Sequence, residues 1–141
     1  MKITSRFTIA IQTMLVIACF SKDKKVTSTF LAESVNTNPV IIRKILGQLK
    51  AAKLIQVRPG VGGSTISKPL ENITLLDIFM AVGAAEEHFF SFHKHPNAEC
   101  PVGKNIHTVL DRHLEEIQEA MNAQMAKTTL AELLEDTKPY L

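Results

Sequence analysis

The sequence holds no apolar run of the length that crosses a bilayer, which takes about 20 residues, so a cytoplasmic location and no membrane partner are expected. Its glycines at 60, 62 and 63 lack the Gly-Lys-Ser/Thr ending of a phosphate-binding loop and the Gly-x-Gly-x-x-Gly spacing of a dinucleotide site. No serine elbow and no paired-carboxylate motif stands beside the histidines, so an enzyme is not expected. Cysteine is scarce: Cys19 and Cys100 are the only two, and they lie far apart in the chain. There is no internal repeat and no low-complexity tract. What is present is a globular composition, 45% hydrophobic over 141 residues, which is enough to build a core in one domain or one domain with an appendage.

The net charge of +2 hides a division between the halves. Residues 1–69 carry eleven Lys/Arg against two acids, a net of +9, and residues 70–141 carry five against twelve, a net of −7. A basic half beside an acidic half points to nucleic-acid contact by the first, with the second held away from phosphate.

The basic half is organised around the stretch from Val26 to Lys68. Val26 to Ser34 reads as a short helix with Thr27 as N-cap and Val26 and Leu31 at staple spacing. Val35-Asn36-Thr37 is a tight turn in which Asn36 tolerates positive φ. Asn38-Pro39 starts a second helix that runs to about Lys50, because Asn caps a free N–H and Pro at the first helical position loses nothing. On that helix Ile42, Ile45, Leu46 and Leu49 form one stripe, leaving Val40, Arg43, Lys44, Gly47 and Lys50 outward on a face that carries no acid. Leu54 to Arg58 and Thr65 to Lys68 then read as two strands around the glycine-rich turn from Pro59 to Ser64. A helix-turn-helix followed by a β-hairpin with an arginine at its base is a winged helix, with a helix fit for a major groove and a wing beside it.

Met1 to Phe20 imitates a lipoprotein signal peptide ending at Cys19, but Gln12 and Thr13 interrupt its apolar stretch. The favoured reading is an amphipathic first helix that packs through Phe7, Ile11, Met14 or Leu15, and Ala18, with Cys19 as a small buried hydrophobe. Lys2, Ser5 and Arg6 at its start are candidates to meet a phosphate. Whether the lysines of the loop Ser21 to Lys25 reach DNA is left open. In the acidic half, Thr74 to Asp77 is a capping-box start, with Ile73 and Ile78 at staple spacing, to a helix that ends near Gly83. Val102 to about Ala126 is one long helix with more apolar surface than its own domain covers, which reads as a dimerisation helix. Thr129 caps a last short helix, and Lys138 to Leu141 reads as a frayed tail.

The loop 86–101 between those helices is chemically suggestive. His93, His95 and Cys100 include proper zinc ligands, yet their spacing matches no closed structural motif. Cys100 stands just ahead of a helix start, which lowers a thiol pKa and suits a redox or electrophile switch; Glu99 opposes this, and the alternative is an inert lone cysteine with no sensing role. Phe89, Phe90 and Phe92 offer a third alternative, a small effector held against the dimer helices; otherwise the three are packing or a partner surface.

Five short motifs stand in order: Arg6-Phe7; the wing Arg58-x-x-x-Gly62-Gly63; Lys68-Pro69; Ile73-Thr74-Leu75-x-Asp77-Ile78; and Thr129-Leu130-Ala131-Glu132-Leu133. Together they resemble the Rrf-two family of bacterial winged-helix regulators, in particular its YwnA-like members, over nearly the whole chain. The resemblance implies a homodimeric transcriptional regulator, usually a repressor, that senses through its C-terminal half. Many members hold an iron–sulfur cluster through three cysteines in the loop before the long helix. Only Cys100 stands there in this chain, so no cofactor is expected. Most relatives carry Glu and Gln where Arg43 and Lys44 stand, and an aromatic where Ser64 stands, so their sequence preference does not transfer.

The expectation is therefore a mainly α chain with a small β-hairpin. Residues 1–69 form a winged helix-turn-helix that binds double-stranded DNA, and residues 70–141 form a linker helix, a sensing loop and a dimerisation helix. Lys2, Ser5, Arg6, Thr27, Asn38, Pro39, Val40, Arg43, Lys44, Arg58, Gly62 and Gly63 are the candidate DNA-facing residues. Cys100, His93 and His95 are the candidate sensing residues, with a small effector or an oxidant as the signal. The alternative is a redox- or metal-responsive interaction module that binds no DNA specifically.

Overall fold

The computed structural model describes residues 3–59, 62–83, 90 and 95–141, and gives backbone alone for residues 3 and 4. Among the described residues six α-helices and one two-stranded sheet follow in the order α1 (Ile3–Phe20), α2 (Ser28–Val35), α3 (Pro39–Ala51), β1 (Ile55–Val57), β2 (Ser64–Ile66), α4 (Leu75–Gly83), α5 (Pro101–Met125) and α6 (Leu130–Thr137). The fold is mainly helical, as the periodicity predicts.

Local chemistry sets the helix starts. Thr27 accepts the Phe30 N–H at 3.2 Å and Asn38 accepts the Val40 N–H at 2.8 Å, so both helices of the helix-turn-helix begin on a side-chain cap. Between them Asn36 adopts φ 60°, the left-handed corner expected of it. Lys53 turns the chain out of α3 with φ 62°, a position that nothing in the sequence marks. Thr74 and Asp77 cap each other: the Thr74 N–H donates to Asp77 Oδ2 at 2.9 Å, and the Asp77 N–H donates to Thr74 Oγ1 at 3.1 Å. Ile73 and Ile78 on either side are fully buried, which completes the staple.

The core lies between α1, α2, α3, α4 and α6. Met14, Ile17, Leu31, Ile42, Ile45, Leu49, Ile73, Ile78, Val82 and Leu130 are all sealed from solvent, each worth about 1.5–3 kcal/mol of burial. The buried face of α1 differs from the expected stripe. Arg6, Ala10, Thr13, Met14 and Ile17 are its buried residues together with Val16, while Phe7, Ile11, Leu15 and Ala18 are half-buried. The reason is that α1 is central: it packs against α2, α3, α4, α6 and β2, so even Thr13 is enclosed and a single apolar stripe does not describe it. Cys19 is half-buried rather than fully so.

The wing is tighter than the strand pattern suggests. Ile55 pairs with Ile66, Gln56 with Thr65 and Val57 with Ser64. Ser64, expected in the turn, is instead the first residue of β2 and is buried. Its N–H donates to Val26 O at 3.0 Å, so the chain ahead of α2 is tied to the wing by a backbone hydrogen bond. Pro69 ends the hairpin, and a 3₁₀ turn over Leu70–Asn72 leads into α4. The segment before α6 is stitched to the start of α4: the Leu75 N–H donates to Thr128 O at 2.9 Å and the Leu130 N–H to Ile73 O at 2.8 Å. Lys138 to Tyr140, expected to fray, closes a 3₁₀ turn with exposed side chains.

The long helix α5 has no fully buried residue among its 25, and among the described residues it packs against α4. Ile106, Leu110, Leu114, Met121 and Met125 are half-buried, whereas Val102, Val109 and Ile117 stand exposed, Val109 at 65%.

Candidate nucleic-acid interface

Helix α3 owes its orientation to its apolar stripe. With Ile42, Ile45 and Leu49 driven into the core and Leu46 half-buried, geometry turns Val40, Arg43, Lys44, Gly47 and Lys50 to solvent. Val40 is 62% exposed, a cost to an isolated domain that contact with an apolar base edge would remove. Among the described residues neither Arg43 nor Lys44 has an ion-pair partner. Asn38, although exposed, spends its side-chain oxygen on the helix start, and Pro39 occupies the first helical position.

The wing stands on its own hydrogen bonds. The Arg58 N–H donates to Gly63 O at 3.1 Å and the Gly62 N–H to Arg58 O at 3.0 Å, so the residue at the wing base is fixed by the turn that follows. Gly62 and Gly63 adopt φ 76° and 85°, the left-handed region that favours glycine. The Arg58 side chain is exposed.

The remaining candidates are scattered. Ser5 is exposed at the start of α1, Thr27 is exposed and serves as the α2 cap, and Lys2 lies outside the described residues. Arg6 is only 8% exposed, enclosed within the protein rather than displayed beside Ser5. Of the sensing residues, His93 lies outside the described residues, as do Phe89 and Phe92. His95 is exposed with φ 76°. Cys100 is exposed at the N-cap of α5, and the N–H groups of Gly103 and then Val102 hold its thiol below the ordinary range, the helix-start effect expected of it. Cys19 moves the other way, because burial pushes its thiol up. The sequence missed the place of Lys24: its ammonium lies 5.3 Å from the Phe20 ring centroid and 5.6 Å from that of Phe30. Phe20 and Phe30 lie on different helices, so no local pattern in the sequence marks that seat.

An exposed cationic helix seated beside a glycine wing with arginine at its base defines a DNA-binding winged helix. Comparisons with known proteins agree. The Rrf2 family, described as an iron-dependent transcriptional regulator, matches residues 3–136. The HTH-type transcriptional regulator YwnA of Bacillus subtilis (strain 168) is 39% identical over 132 residues, 94% of this chain and 96% of that one. A crystal structure described as that of a DNA-binding protein superposes with a TM-score of 0.73 at 36% identity, covering 92% of this chain and 98% of that one. A transcriptional regulator from Lactobacillus plantarum, at 24% identity and a TM-score of 0.76 over 94% of this chain and 89% of that one, shares the fold. The chain belongs to the Rrf2 family, and it is a DNA-binding transcription regulator. That family consists of regulators, not enzymes.

The iron in the family description finds no matching thiolate set here. Cys19 sits within α1 and Cys100 ahead of α5, and two thiols on separate elements do not supply the several thiolates of a cluster. Among the described residues no three His, Cys, Asp or Glu side chains lie close enough together to hold a metal ion, and no helix is long and apolar enough to cross a membrane.

Proposed function

We propose that this regulator is a cytoplasmic homodimeric repressor. Two chains pair through α5 and set two α3 helices about one turn of DNA apart on a pseudo-palindromic site. The observation that carries the reading is the outward face of α3, where Val40, Arg43, Lys44, Gly47 and Lys50 are all exposed over a sealed apolar underside. Arg43 and Lys44 read base edges, with Val40 on a thymine methyl. Arg58 reaches the minor groove or backbone, and Ser5 meets a phosphate. Dimerisation through α5 is supported by its exposed Val102, Val109 and Ile117, which a second copy would cover. A signal at the loop 86–101, which joins α4 to the pairing helix, shifts the angle between the two heads so that their spacing no longer fits the site.

Fluorescence anisotropy tests this with a duplex from the region upstream of the protein's own gene and a scrambled one, with and without mild oxidant. Binding to the first near ~10⁻⁸ M at physiological salt, far tighter than to the second, is expected. Equal and weak binding to both would instead favour the interaction module.

A further inference from the structure

Beside the wing lies an open groove of about 270 Å³ lined by Lys22, Asp23, Lys24, Lys25, Arg58 and Gly63, among others. The loop that forms one wall is fastened to the wing that forms the other. The Ser64 N–H donates to Val26 O at 3.0 Å, and Gly63 approaches so closely that a Cβ there would stand 3.2 Å from Val26 N and 3.3 Å from Lys25 Cα. Lys24 lines the same groove, with its ammonium also 5.3 Å from the Phe20 ring centroid and 5.6 Å from that of Phe30. Lys22, Lys25 and Arg58 are exposed, and among the described residues none of them has an ion-pair partner. Asp23 is the one acid among the described residues of the lining. Cations gathered around one open groove repel one another, and an anion brought between them relieves that repulsion.

We infer that Lys22 and Lys25, together with Arg58, form a second phosphate-gripping edge of the DNA interface, outboard of the wing and distinct from the α3 face that reads bases. This rests on the reading that the chain binds duplex DNA. The edge carries no sequence information: it lengthens the footprint along the backbone and raises affinity for any duplex alike. Because wing and loop are one hydrogen-bonded unit, a wing seated at the minor groove sets the lysines against the neighbouring phosphates.

The test is a Lys22→Gln/Lys25→Gln variant in the full chain, titrated by anisotropy against the upstream duplex and the scrambled one over a salt series, beside the wild type. Both affinities are expected to fall by the same factor. The slope of log K against log salt should become shallower by roughly 0.9 for each phosphate that the variant no longer neutralises. Since both side chains are exposed, thermal unfolding is expected to be unchanged and serves as the folding control. A wild type with salt-dependent binding and a variant with the same slope would overturn the proposal and leave the regulator reading standing. So would a loss confined to the upstream duplex, since that is base reading. A wild type that binds neither duplex would overturn both together.

Discussion

The Asn38 side-chain oxygen accepts the Val40 N–H at 2.8 Å, so the residue expected to face DNA also holds the start of the helix that does so. The two roles separate by substitution. Asn38→Ala removes the cap and is expected to cost about 1 kcal/mol of stability in urea denaturation. Asn38→Asp keeps the cap and the stability but sets a negative charge against the phosphates, so its DNA affinity falls while its unfolding midpoint does not. Equal loss of stability in both variants would contradict the capping role.

Two glycines predict opposite signs. A Cβ on Gly47 meets nothing within 4 Å and the residue is helical, so Gly47→Ala is expected to raise stability by roughly 0.5–1 kcal/mol. Gly63 has φ 85° and a backbone neighbour at 3.2 Å, so Gly63→Ala should lower it by roughly 1–2 kcal/mol and loosen the wing from the chain ahead of α2. Paired urea curves check both, and a neutral Gly63→Ala would mean that the wing does not rest on Val26.

The two thiols should separate in pH. Backbone N–H groups favour the Cys100 thiolate and lower its pKa, whereas burial disfavours the Cys19 thiolate and raises its own. As pH rises, Cys100 therefore ionises first. Alkylation with iodoacetamide, located by peptide mass mapping, is expected to modify Cys100 at a pH where Cys19 is still intact; the reverse order would refute the assignment.

Exposed apolar residues on α5 make the pairing testable without DNA. Val109→Glu or Ile117→Glu places a charge on the surface proposed to be covered, and light scattering after size exclusion should show a monomer where the wild type shows a dimer. A wild type that is already monomeric at micromolar concentration would remove the basis for two spaced recognition helices.

What could be read in the sequence follows from how local each signal is. Thr27, Asn36, Asn38-Pro39, Thr74 with Asp77, and Thr129 specify their caps and corners within three or four residues, and each is found where the chain places it. The outward face of α3 was equally legible, because one apolar stripe against a single core leaves one exposed side. The buried face of α1 was not, since a helix enclosed by five neighbours hides polar residues such as Arg6 and Thr13 as well as apolar ones. The pairing of Ser64 with Val26 joins residues 38 positions apart, and the seat of Lys24 depends on two rings brought together only by the fold. Periodicity carries no information about either.

The most direct measurement of the central claim is the ratio of affinities for the upstream and scrambled duplexes in wild type and in Arg43→Ala. Arg43 stands exposed on α3, where a base-reading arginine is worth about 1–3 kcal/mol of discrimination. The ratio is therefore expected to fall roughly fivefold or more in the variant, with its unfolding curve unchanged. A ratio preserved in Arg43→Ala would contradict the account, because the helix placed to read DNA would then not be reading it.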